Sequence, residues 1–220
     1  MLNKTTLTFL KEIKINNHKQ WLDVNRLKYE NAKGDFTQLV TGIITGISSF
    51  DPAIGTLTAK DCTFRLNRDI RFSKDKSPYK TNFGAGFNAG GKKASNAGYY
   101  LHIEPGHSFI GGGFWMPAAA DIAKIRQEID YNFDEWNKII NNKKFKDNFI
   151  TGLTMEGSLK RSPKGYEEDN PAIKYLKLKS FTISKAVTDA EIILPSFKKN
   201  ITDTFKSMQP FLNFLNRAIQ

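Results

Sequence analysis

The residues most able to do chemistry are concentrated between Thr63 and Asn82, in the sequence TFRLNRDIRFSKDKSPYKTN. If its first half is a strand with a period of two, the polar side chains share one face: Arg65, Asn67, Asp69 and Arg71. The apolar side chains then share the other face: Phe64, Leu66, Ile70 and Phe72. Guanidinium groups beside an amide are typical of a surface that binds an anion through charge-assisted hydrogen bonds.

The end of this segment predicts a charged turn. Arg68 falls on the apolar face, so we expect a bulge, a sheet end or a buried carboxylate partner there. Pro78 presets its own φ, and Asp75 or Ser77 can bond to local backbone in a turn over residues 73–79. Such a turn presents Lys74, Lys76 and Lys80 at its rim.

A second polar face is predicted in the sequence YYLHIEP. Alternation places Tyr100, His102 and Glu104 on one side of a strand. Glycines recur in the flanking segments, at Gly84, Gly86 and 111–113. Small residues beside Arg, His and Glu would form a depression that could receive an anion, although glycines in strands also permit close packing or a bulge.

His102 and Glu104 have the chemistry of an acid/base pair or of two metal ligands. A catalytic metal normally needs a third ligand, and only His107 lies near in the sequence, so we predict no metal site. The glycine triplet lacks the Lys-Ser/Thr of a phosphate-binding loop, and no serine lies in a nucleophile-elbow motif. The sequence predicts no cofactor.

Composition favours an anionic partner without choosing one. The chain has 33 Lys and Arg against 22 Asp and Glu, a net charge of +11. Nucleic acid, phosphorylated small molecules and acidic surfaces all fit such a charge. Part of the excess lies between Lys60 and Lys93, where nine basic residues oppose Asp61, Asp69 and Asp75.

Periodicity predicts one α+β domain over residues 1–220, with an antiparallel β-meander packed by N-terminal and C-terminal helices. We expect helices over about 5–50, the sheet over about 63–117 and mixed helices and short strands over 118–187. A C-terminal helix is expected over about 189–218, with Thr188 and Glu191 as its capping box.

Cys62 is the only cysteine, which excludes a disulfide framework and favours a reducing compartment. The N-terminus lacks the apolar stretch of a signal peptide, and no run approaches the length of a membrane span. We therefore expect a cytoplasmic protein without a membrane partner.

Four strings resemble the bacterial family called domain of unknown function 2461. They are FRLNRDIRFSKDKSPYKTNFGA, GYYLHIEPGHSFIGGGFWMP, NNHKQWLDVNRLKYE and LKRSPKGYEEDNPAIKYLKLKSF. The resemblance covers nearly the whole chain and implies a single α+β domain of unassigned activity. It implies no catalytic residues.

Three functions follow as hypotheses. The first is a basic cleft that binds an anionic ligand, for example a phosphate-bearing one, through Arg65, Asn67, Arg68, Asp69, Arg71, Lys74, Lys80 and Tyr100. The second is nucleic-acid binding, since aromatic residues lie near the basic stretch: Tyr79, Tyr99, Tyr100 and Trp115. The third is an enzyme in which His102 and Glu104 act beside Arg65 or Arg71. A solvated sheet face that ends in a charged hairpin is the alternative without a ligand.

Overall fold

The computed structural model describes residues 1–220 and has the predicted α+β architecture. The strands are β1 (Phe83–Phe87), β2 (Gly98–Ile103), β3 (Phe109–Phe114) and β4 (Phe181–Ala186). The helices before the sheet are α1 (Lys4–Ile15), α2 (Lys19–Val24), α3 (Arg26–Ser48) and α4 (Ala59–Cys62). Those after β3 are α5 (Ala119–Tyr131), α6 (Phe133–Ile140), α7 (Lys143–Asn148), α8 (Ile173–Leu176), α9 (Asp189–Ile192) and α10 (Phe197–Ala218). None of these helices is both long and apolar enough to cross a membrane.

The four strands form one antiparallel sheet in the order β1-β2-β3-β4. Because side chains alternate along each strand, every second residue faces the helices. On that face Tyr99 packs 5.0 Å and Phe87 5.7 Å from Phe205 of α10, measured between ring centroids. One face of the sheet is therefore part of the core, and the other is available for a site.

The long helices α3 and α10 form where apolar residues recur every three or four positions, as their sequences predict. α10 buries a continuous stripe: Phe197, Ile201, Phe205, Met208, Phe211, Leu212 and Leu215. Pro210 lies inside this helix without ending it. Gly34 likewise does not break α3, since the 23-residue helix runs through it.

The C-terminal helix begins later than predicted. Thr188 and Glu191 do form the predicted capping box, but they cap only the short helix α9. α10 starts at Phe197, after a break that contains Pro195. Proline lacks an N–H and disfavours helical backbone in the residue before it, which accounts for the break.

The strand predicted from Thr63 to Phe72 is wrong. Only two isolated bridges form, between Thr63 and Ala85 and between Asn67 and Tyr79, and the sheet begins at Phe83. The predicted apolar face is not buried as a unit, because Phe72 is 97% exposed. The segment instead runs along the outer edge of β1 and then leaves it as a loop.

Candidate functional site

The face of the sheet opposite the helices is called the open face here. Its surface is formed by residues that pair with each other across the strands. Gly86 pairs with Tyr100, Tyr100 with Gly111, and Gly111 with Ser184. The neighbouring row pairs Gly98 with Gly113 and then Thr182. Directly paired residues point to the same side of a sheet, so Tyr100, Thr182 and Ser184 project from a floor made largely of glycine.

A cavity of about 760 Å³ lies over this floor. The aromatic side chains on this face are Phe64, Tyr100, Phe109 and Trp115, whereas Tyr99 and Phe114 border the cavity from strands that turn their rings toward the helices. Three lysines also line it, Lys80, Lys92 and Lys93, and no Asp or Glu does. The cavity therefore combines aromatic surface with neutral polar groups and positive charge, a composition that suits an anion with an apolar part.

Lys80 is the lysine most affected by its surroundings. Its Nζ lies 5.4 Å from the centroid of the Phe64 ring, and it forms no ion pair. Burial lowers the pKa of Lys80, and the charge of Arg65 lowers it further. An anion bound here would offset both effects by favouring the charged ammonium.

The other two lysines come from the loop between β1 and β2. Lys92 donates from Nζ to the carbonyl of Lys60, and its backbone N–H donates to the carbonyl of Asp61. These bonds tie the loop to α4. Lys93 is exposed and forms neither a hydrogen bond nor an ion pair through its side chain. Its charge is thus uncompensated within the chain.

His102 and Glu104 share one side of β2, as alternation predicts, and form a hydrogen-bonded pair. His102 Nε2 lies 3.3 Å from Glu104 Oε2, and His102 Nδ1 lies 3.3 Å from the Tyr100 hydroxyl oxygen. Because the carboxylate can only accept, Nε2 carries the proton and Nδ1 accepts from Tyr100. The imidazole ring also stacks on Phe109, with centroids 4.8 Å apart.

The protonation of this pair follows from its burial and its hydrogen bonds. Burial lowers the pKa of His102, and Glu104 only partly offsets this effect. Burial alone would raise the pKa of Glu104, but hydrogen bonds from Thr81 and His102 outweigh it and hold that pKa below its usual value. At neutral pH the pair is therefore a neutral imidazole beside a carboxylate.

Glu104→Gln should lower the pKa of His102 further, because it removes the carboxylate that favours the imidazolium. A depressed histidine pKa means that the unfolded chain binds the proton first as pH falls below about 6.5. The free energy of unfolding should therefore fall with acidification from that pH downward. Glu104→Gln should extend the part of the fall due to His102 to lower pH, and it should remove the further fall below about 4.5 that the depressed pKa of Glu104 causes in the wild type. NMR titration of the imidazole and urea unfolding at stepped pH would measure both effects.

Glu156→Gln is the matched control, since Glu156 is exposed and has no hydrogen-bond or ion-pair partner. It should leave the titration of His102 unchanged. A His102 pKa that rises in Glu104→Gln would contradict the assigned pairing.

Among the predicted ligand-binding residues, Lys80 and Tyr100 line the cavity and the others do not. Arg68 pairs with Asp75, which also accepts from Ser77, but Asp75 is exposed and is not the buried carboxylate partner predicted for Arg68. Arg71 forms a bidentate pair with Asp69 at 2.7 and 3.0 Å. The remaining three residues, Arg65, Asn67 and Lys74, are exposed.

Neither His102 nor Glu104 lines the cavity, and neither contacts Arg65 or Arg71. Tyr100 connects them to it, since this residue lines the cavity and its hydroxyl meets His102. The arrangement does not supply the pair with the arginine partners of the enzyme hypothesis. No group of three or more His, Cys, Asp or Glu is placed to hold a metal ion.

Several cavity residues were missed by the sequence analysis: Lys92, Lys93, Thr154, Thr182 and Ser184. The lysines lie in a loop with no periodicity. Thr182 and Ser184 belong to β4, about seventy positions after β3, and Thr154 belongs to the segment beside β4, about forty positions after β3. Nothing local to their sequence indicates that these segments lie beside the glycine strand.

Together these features describe an α+β protein with a four-stranded antiparallel meander and a lysine-lined cavity on its open face. A family model described as "Conserved hypothetical protein (DUF2461)" matches residues 5–214. The chain belongs to this family, as the sequence motifs predict. Comparisons with curated proteins and with solved structures give no match.

Proposed function

We propose that the protein binds an anionic ligand, with a phosphate group as the best-fitting anion, in the cavity on the open face of the sheet. The main support for this proposal is the charge of the cavity lining, which includes Lys80, Lys92 and Lys93 and no carboxylate. Lysine ammonium groups in a partly desolvated site are strong partners for a phosphate.

The ion pairs in the loop over residues 68–75, before β1, also favour the cavity as the location of the anion site. Arg68 and Arg71 are already neutralised by Asp75 and Asp69. A ligand at the loop would have to displace these carboxylates, whereas Lys80 and Lys93 have no acidic partner to lose. The cavity is also concave, as sites for small ligands usually are.

Lys80→Met should weaken binding of the anion about tenfold or more. A hydrogen bond to a charged group contributes about 1.5 to 3 kcal/mol, and 1.4 kcal/mol corresponds to tenfold in Kd. Methionine removes the charge and keeps an unbranched side chain beside Phe64. The measurement is calorimetric titration with inorganic phosphate, pyrophosphate and an aromatic phosphate monoester.

Lys74→Met is the matched control, because it removes the same charge from an exposed position outside the cavity. It should change Kd by less than about twofold. Equal weakening by both variants would indicate a diffuse positive field in place of a site, and wild-type protein that binds none of the anions would remove the proposal.

Nucleic-acid binding is the second proposal, favoured by Trp115, which is 69% exposed and lines the same cavity as the three lysines. Exposed aromatic rings beside Lys are used by proteins that bind single strands. Affinity for a single-stranded oligonucleotide should then fall steeply between about 50 and 200 mM salt. Absent binding at the lower salt concentration would reject this proposal.

A further inference from the structure

The two sides of the cavity carry polar groups of different kinds, and we infer that its ligand is nucleotide-like. Such a ligand has an anionic group at one end and an aromatic ring with hydrogen-bonding atoms at the other. The inference rests on the proposed function, since it assigns the anion to the lysine side.

The lysine side belongs to β1 and its neighbours. Lys80 lies three residues before the start of β1, with its Nζ over the ring of Phe64, and that ring would lie 3.6 Å from a Cβ placed on Gly86. Lys92 and Lys93 follow β1 in the loop to β2. All the positive charge of the lining therefore lies toward one edge of the sheet.

The opposite side presents neutral hydroxyl groups. Thr182 and Ser184 project from β4, and Thr154 is held beside them by a 2.8 Å hydrogen bond from its N–H to the carbonyl of Thr182. None of the three hydroxyls has a hydrogen-bond partner within the chain. They can donate to and accept from the ring atoms of a ligand without breaking an existing bond.

Aromatic surface lies between the two sides. Tyr100 and Phe109 have ring centroids 5.7 Å apart over the middle strands. Trp115 lines the same cavity and stacks on no aromatic residue of the chain. A flat ring can therefore contact Trp115 without displacing another side chain, and such stacking tolerates any base.

The width of the sheet sets the size of the ligand. β1 and β4 are three strand spacings apart, about 14 Å at about 4.8 Å per spacing. Inorganic phosphate cannot reach both sides at once, whereas a phosphate joined to a base through a sugar is an extended molecule. A ligand charged at both ends would place one charge among neutral hydroxyls, and an amino group would find no carboxylate in the lining.

The test compares adenosine monophosphate with its two parts, adenosine and a sugar phosphate that lacks the base. Wild-type protein should bind the nucleotide at least tenfold more tightly than either part. Lys80→Met should weaken binding of the nucleotide and of the sugar phosphate but not binding of adenosine. A Thr182→Val/Ser184→Ala double variant should weaken binding of the nucleotide and of adenosine but not binding of the sugar phosphate.

Thermal unfolding of each variant should match the wild type, because Ser184 is exposed and Val is isosteric with Thr182. If the double variant is less stable, Trp115→Ala provides a second test. This variant should lose affinity for the nucleotide and for adenosine but not for the sugar phosphate. If the sugar phosphate binds as tightly as the nucleotide and the hydroxyl variants change nothing, the nucleotide assignment fails while anion binding stands. If neither phosphate compound binds, both the proposed function and this inference fail.

Discussion

Gly113→Ala is expected to destabilise the protein by several kcal/mol. Gly113 has a φ of +123°, a backbone conformation that residues with a Cβ rarely adopt. A Cβ at this position would lie 1.9 Å from the carbonyl oxygen of Phe181 and 2.8 Å from Cα of Thr182. Both atoms belong to the β4 backbone, so relief requires the β3–β4 pairing to open.

The size of this effect follows from two costs. An unfavourable backbone conformation costs about 1 to 3 kcal/mol, and the displacement of β4 adds the loss of strand pairing and of packing beneath it. The sum is a large share of a typical stability of about 5 to 15 kcal/mol. Urea unfolding monitored by circular dichroism would measure this loss of stability.

Gly86→Ala is the matched control on the same face of the sheet. The new Cβ would meet Asn88 Oδ1 at 3.4 Å and the Phe64 ring at 3.6 Å, which are ordinary contacts. Alanine also reduces the entropy of the unfolded chain, so the expected change is within about 1 kcal/mol and can be stabilising. If Gly113→Ala unfolds at the same urea concentration as this control, the strand geometry around Gly113 is wrong.

The parts of the fold that were predictable from sequence are those fixed by local periodicity. Apolar residues at helical spacing identified the bodies of α3 and α10, and alternation placed His102 and Glu104 on one side of β2. In each case a single element buries one stripe or one face, so its own sequence carries the signal.

The prediction of a strand from alternating polar and apolar residues was wrong where neither face of the segment is buried as a unit. The polar residues from Arg65 to Arg71 alternate with apolar ones, but the segment contacts only the edge of β1 and then forms its own turn around Asp75. The cavity could not be predicted for a related reason. Its two sides are joined only when β4 pairs with β3, and that contact depends on the packing of the whole chain.

Trp136→Ala should cost about 3 to 5 kcal/mol, the usual result of truncating a buried aromatic residue. Trp136 is 0% exposed and packs between Tyr175, Phe211 and Phe214, with ring centroids 5.1 to 5.7 Å away. Thermal and urea unfolding measure the loss. A cost below about 1 kcal/mol would contradict this packing.

Trp136→Phe should be far less costly, because the indole N–H of Trp136 is buried without a hydrogen-bond partner among the atoms of the protein. An unsatisfied buried donor costs about 1 to 3 kcal/mol, and phenylalanine removes it while keeping most of the ring contacts. Tyr99→Phe is the contrasting control, since the Tyr99 hydroxyl donates to Asp51 at 3.0 Å and its loss should destabilise by about 1.5 to 3 kcal/mol. If Trp136→Phe costs as much as Tyr99→Phe, the indole N–H has a partner in solution, and a water molecule inside the core becomes the explanation to test.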